Sequence, residues 1–150
     1  MRSALTVEEQ ALLDLPREEA AAHRGVIGWS LENLWPLAWA LGFEPEPTVD
    51  GPMIGEPIIR ALFFEFLPGL DATVADLLAK AKPRSLEEVA RREDLFYCAH
   101  DAVRSAQLGE DTVPEGFDPR ADGGVVHERR HALTWMLSAG VGWDDTDLGT

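Results

Sequence analysis

Apolar residues recur along this chain at helical rather than strand spacing. After a Thr6-Val7-Glu8-Glu9 capping box that predicts a short helix ending near Asp14, Pro16 opens a second helix, with Glu18 and Glu19 near its positive end. That helix carries Ile27, Leu31, Leu34, Ala38 and Leu41 at intervals of four, three, four and three, one continuous stripe. Trp29, Trp35 and Trp39 widen the stripe and predict a largely buried helix. Gly25 and Gly28 weaken it, Pro36 should kink or break it, and Gly42 terminates it. Ile58 to Leu67 reads as a short buried helix, although so short an apolar run also fits a strand. Leu70, Val74, Leu77, Leu78 and Ala81 form the stripe of a helix started by Asp71. A second capping box, Ser85-Leu86-Glu87-Glu88, opens the longest helix, through about Leu108. Its stripe is Leu86, Val89, Ala90, Phe96, Tyr97, His100 and Val103, and Gly109 closes it. The last helix is expected from about Val125 to Ser138.

Two segments interrupt the periodicity. Residues 44 to 57 hold four prolines, two glycines and four carboxylates with no basic residue, and residues 110 to 124 hold two prolines and three glycines. No boundary splits the chain. The expected fold is all-α, a single domain over 1–150 of about six helices around a tryptophan-rich core, with two long acidic loops.

Composition narrows the function. A chain of 150 residues, 45% hydrophobic, can bury a sizeable core. Cys98 is the single cysteine, so no internal disulfide forms; this fits a reducing cytoplasm. No segment is long and apolar enough to span a bilayer, and the N-terminal residues show no signal-peptide run. A cytoplasmic location is expected. The net charge of -14, from 13 basic and 27 acidic side chains, disfavours nucleic acid and anionic membranes alike. It favours a basic protein or peptide as partner. The oligomeric state is not legible.

The most literal chemical motif is His127-Glu128-x-x-His131, an H-E-x-x-H match. On a helix, His127 and His131 lie one turn apart on one face, with Glu128 about 100 degrees round, placed as a general base on a metal-bound water. Asp144, Asp145 or Asp147 would have to supply the third zinc ligand, from beyond a glycine-rich turn; His127, His131 and Asp144 form the candidate metal set. Against this reading, Arg129 and Arg130 place two cations between the ligands, and no strands flank the helix. The same residues also read as a polar network at the edge of a core, with Asp144 and Asp145 receiving an arginine in a bidentate pair. A second cluster, His100, Asp101 and Arg104, lies on the long helix, where His100 and Arg104 share a face and could line a pocket. Cys98 and His100 point to opposite sides, so they are not a nucleophile and its base.

Three blocks carry a resemblance. Asp94 through Arg104, Val126 through Trp135, and Trp143-Asp144-Asp145 occur in the order that resembles a bacterial family catalogued as domain of unknown function 4272. Trp39-Ala40-Leu41-Gly42 is similar to that family's N-terminal tryptophan-leucine-glycine signature, and the likeness spans about residues 25–148. The family pattern E-R-x-x-A-L-x-W is matched by Glu128, Arg129, Ala132, Leu133 and Trp135, whereas His127 stands where the family usually has an aromatic or aliphatic residue. The resemblance implies no activity, cofactor or catalytic residue. It points to Glu128, Arg129, Trp135, Trp143, Asp144 and Asp145 as a shared structural or binding unit.

Taken together, the residues favour a non-enzymatic interaction protein, an adaptor or immunity-like protein that masks a basic surface, with no catalytic residue and no cofactor. His100, Arg104, Glu128, Arg129, His131, Trp135, Trp143, Asp144 and Asp145 form the expected binding or structural cluster. Two alternatives stand beside it: a zinc-dependent hydrolase on the H-E-x-x-H helix, and a small-ligand binder with His100, Arg104 and Glu128 around a pocket.

Overall fold

Helices form wherever the apolar stripe and a capping residue coincide. The computed structural model describes residues 5–69 and 71–149, without the side chains of residues 24–27. Leu70 and the Ile27 side chain, both expected on apolar stripes, lie outside the described residues. Every regular element among those described is helical: α1 (Val7–Asp14), α2 (Arg17–Ala22), α3 (Arg24–Ala40), α4 (Glu56–Ala61), α5 (Val74–Lys80), α6 (Leu86–Gln107) and α7 (Ala121–Leu137). A π-helical turn (Leu62–Phe66) extends α4, and a 3-10 turn (Trp143–Asp145) follows α7.

Both expected capping boxes are present, Thr6 with Glu9 and Ser85 with Glu88. Thr73 and Asp76 form a third, so α5 starts at Val74 rather than at Asp71. The long second helix is two: α2 buries nothing, and the backbone turns at His23 before α3 begins. With no face to pack, α2 has nothing to hold it in register with α3. Pro36 does not break α3, which runs through it to Ala40. The last helix starts four residues early, because Asp118 Oδ1 accepts from the amides of Arg120 and Ala121 while Asp122 reaches back to the Asp118 amide. Leu86 and Tyr97, expected on the buried stripe of α6, are 73% and 41% exposed. The Ile58–Leu67 run is helical, yet it buries only Leu62 completely and leaves Phe63 and Phe64 exposed.

The centre is a three-helix layer in which α7 packs against α3 on one side and α6 on the other. One apolar cluster joins Trp39 of α3, Val89 and Phe96 of α6, and Val126 and Leu133 of α7. A second joins Trp35, Ala38, Phe43, Ile54 and Leu62, closing α3 against α4 and the loop before it. Trp35 and Trp39 are core residues; Trp29 is 38% exposed, and Trp135 and Trp143 are partly buried. Tryptophan therefore lies both inside the core and along its rim.

The segment after α5 turns back onto the end of α3, where Lys82 N and Arg84 N donate to Leu41 O and Ala40 O. Gly42 sits against this crossing at φ 104°, and a Cβ there would lie 2.7 Å from the Lys82 carbonyl oxygen. Gly42→Ala is expected to destabilise the fold by more than about 1 kcal/mol, since both the positive φ and the backbone contact oppose a side chain. A urea unfolding midpoint unchanged from the parent would contradict this account of the crossing.

Candidate functional site

Consecutive helical residues point about 100 degrees apart, so Arg129 and Arg130 of α7 reach its two different neighbours. Arg129 turns to α3. Its Nε donates to Glu32 Oε2 at 2.7 Å, and both side chains are essentially inaccessible to water. The rest of the guanidinium reaches the loop between α3 and α4, donating to the carbonyls of Thr48 (2.7 Å) and Pro52 (3.0 Å). Glu32 Oε1 accepts from the Ile54 amide at 2.7 Å, and the Arg129 guanidinium lies 4.7 Å over the Trp35 ring. Burial pulls Arg129 below its ordinary pKa, and Glu32 opposes that pull.

Arg130 turns to α6. It donates to Glu93 Oε1 (3.2 Å), to His100 Nδ1 (2.7 Å) and to the carbonyl of Leu148 (3.1 Å), with its guanidinium 4.6 Å over Tyr97. Thr134 adds a second donor to Glu93 at 3.0 Å. Since arginine can only donate, His100 accepts at Nδ1 and carries its hydrogen on Nε2. Burial, followed by the positive charge of Arg130, lowers the His100 pKa to about 4, so the ring is neutral near pH 7.

The expected residues meet only in part. His100 packs edge-on against His127, with ring centroids 5.4 Å apart, and Arg104 lies exposed one turn further along α6. His131 Nε2 donates to the Trp143 carbonyl (3.0 Å), since a carbonyl only accepts, and the ring packs on that indole at 4.3 Å. Trp143 in turn meets Trp135 at 5.4 Å. This polar and aromatic lock between α7 and the C-terminal segment runs through backbone carbonyls. Asp144 and Asp145 are exposed and take neither arginine; Glu32 and Glu93 take them instead. Sequence reasoning missed both glutamates, because each is 37 or more positions from its arginine.

Glu128 is half-buried. Its Oε2 accepts from Asn33 Nδ2 at 2.8 Å and its Oε1 stands 3.4 Å from His127 Nδ1. Burial works to raise its pKa, but the hydrogen bonds from His127 and Asn33 prevail and hold it below the usual carboxylate range. Asn33 Oδ1 is enclosed without a donor, a deficit of about 1–3 kcal/mol in such positions.

As a zinc site the arrangement supplies too few ligands. His127 and His131 are 6.5 Å apart between ring centres, His131 Nε2 is engaged by Trp143, and among the described residues no three His, Cys, Asp or Glu converge to hold one ion. Two open clefts of about 510 and 430 Å³ occur, one beside Phe117 and one beside Trp39, and neither is lined by His100, Arg104 or Glu128. Among the described residues, no helix is long and apolar enough to cross a membrane.

A family model, Domain of unknown function (DUF4272), matches residues 1–146. The chain belongs to that family. No curated protein and no solved structure matches it. The match takes in α1 and α2, outside the span the sequence signatures covered, and every residue of the DUF4272 core described above lies inside it except Leu148.

Two outcomes test this geometry. Glu32→Gln strands a buried arginine and is expected to cost about 3–5 kcal/mol, read from urea unfolding, with faster hydrogen exchange at the Ile54 amide. For His100, the depressed native pKa means the unfolded chain binds the proton first as pH falls. Its contribution, on the order of 3 kcal/mol at most, is present above pH 6.5 and lost between 6.5 and about 4. His100→Asn, which keeps an acceptor near the Nδ1 position, should flatten the stability–pH curve across that window; an unchanged slope would rule His100 out as its source.

Proposed function

We propose that this protein is a non-enzymatic interaction protein, an adaptor or immunity-like inhibitor that covers a basic surface of its partner in the cytoplasm. The observation that carries the reading is where its positive charge goes. Arg60, Arg84, Arg91, Arg92, Arg129 and Arg130 are each committed to a carboxylate of the same chain. With 27 acidic against 13 basic side chains, the charge left facing solvent is overwhelmingly negative. Such a field steers a cationic partner and repels nucleic acid.

Cys98 and His100 do not form a nucleophile and its base. Cys98 is exposed, and the nearest histidine in sequence, His100, is buried against Arg130. His100, Arg129 and Arg130 of the family blocks are used inward as struts, which suits a rigid scaffold that presents a surface.

Affinity capture from lysate on immobilised protein, with an inert protein of equal net charge as control, tests the proposal. The expected result is a basic partner retained on this protein but not on the control. Its recovery should fall at least about tenfold between roughly 50 and 500 mM salt. A partner held regardless of salt, or none beyond the control, would overturn electrostatic masking.

A further inference from the structure

Arginine, carboxylate and aromatic ring recur together throughout this molecule. Arg129 pairs with Glu32 over Trp35, and Arg130 pairs with Glu93 over Tyr97. Arg84 pairs with Glu44, and Arg92 with Glu46, both over Trp39. In each case the guanidinium satisfies the carboxylate through its edge and the ring through its face.

One such set stands without its arginine. Trp29 of α3 lies over α7 at Gly124, where an added Cβ would come within 2.6 Å of the indole. One turn further along each helix stand Asn33 and Glu128, joined by the 2.8 Å hydrogen bond. The Glu128 side chain is 26% exposed, and among the described residues its ion-pair partner is the His127 ring alone. Trp29, over Gly124 one turn before Glu128, is 38% exposed. Asn33 Nδ2 ties the two together, reaching both Glu128 Oε2 at 2.8 Å and the Trp29 carbonyl at 3.4 Å. A half-withdrawn carboxylate one helical turn from an accessible indole lacks, among the described residues, the planar cation that the sets above, and Arg60 with Glu56 over Phe64, contain.

We propose that Trp29, Asn33 and Glu128 form a socket for a guanidinium, supplied by an arginine of the basic partner. This deepens the interaction reading and rests on it for the identity of the occupant. Guanidinium is favoured over ammonium because it bridges carboxylate and indole in one plane, whereas ammonium is a compact, strongly hydrated point charge. Glu128 Oε1 meets the 44% exposed His127 ring at 3.4 Å, a long contact that an arriving guanidinium would displace.

The test is amide and indole NMR of the full chain titrated with arginine amide, lysine amide or citrulline amide at physiological ionic strength. Arginine amide should shift the Asn33 side-chain amide and the Trp29 indole signals saturably, lysine amide should bind several-fold more weakly, and citrulline amide, with the same α-ammonium but an uncharged side chain, should not bind. Glu128→Gln should weaken arginine amide by at least about tenfold while the remaining spectrum is kept. Trp29→Leu serves as the second variant should Glu128→Gln perturb the fold, with the same loss expected. Citrulline binding as well as arginine, or a variant that folds and binds like the parent, would overturn the socket. Salt-sensitive capture of a partner that is indifferent to Glu128→Gln would leave the interaction reading standing and remove this site. Arginine amide binding with no partner captured would do the reverse.

Discussion

The structure depends on one buried ion pair, Arg129 with Glu32. Two charges withdrawn from water carry a large desolvation cost that attraction alone repays only with good geometry and further hydrogen bonds. Here the geometry is supplied from three places at once. Glu32 comes from α3, Arg129 from α7, and the remaining donors and acceptors from the backbone of residues 48–54. The pair therefore fastens a proline-rich segment, which cannot satisfy its own carbonyls by helix or sheet, against the two helices it crosses. Ile54 and Pro47 are buried as a result, and the cluster around Trp35 and Leu62 is closed from above.

Arg130 does for the other side of α7 what Arg129 does for the first. It gathers Glu93 and His100 of α6 and the carbonyl of Leu148 around one guanidinium, and His131 pins the same C-terminal segment through Trp143. Because the two arginines are adjacent, their directions are fixed by the helix itself, and α7 becomes the layer to which both neighbours are tied. Neutral His100 is the acceptor that this second network needs; a proton there would place two cations 2.7 Å apart. Residues that look catalytic in one dimension are in this way consumed by architecture. Glu128 is set apart from them: it is partly exposed and, among the described residues, pairs with no arginine.

Much of the local structure was legible. The Thr6 and Ser85 capping boxes, the four-and-three stripe of α3 and the Gly109 stop are local signals, and local physics is enough to read them. The early start of α7 was missed because Asp118 caps it from inside a segment whose prolines and glycines read as loop. The break at His23 was missed because a continuous stripe says nothing about whether its first turns find anything to pack against. Leu86 stays largely exposed on α6, and Tyr97 is covered on one side by the Arg130 guanidinium and is otherwise open. At the site, the H-E-x-x-H spacing correctly put His127 and His131 on one helix, but not which atoms each would meet.

What the sequence determined by itself, then, is helicity, membership in the DUF4272 family, the excess of negative charge and the list of polar residues on α7. Helicity and the polar list follow from local spacing, the charge from composition, and the family from the likeness of its sequence blocks. What only the tertiary structure decided is which of those residues are struts and which are free. Glu32 and Arg129 are 97 positions apart, Glu93 and Arg130 37 apart, and nothing in either neighbourhood names the other. Pairing over such distances is selected by how three helices pack, because only a packed interior makes an unpaired charge costly enough to enforce its partner. The same packing leaves Trp29 and Glu128 partly exposed one helical turn apart across α3 and α7.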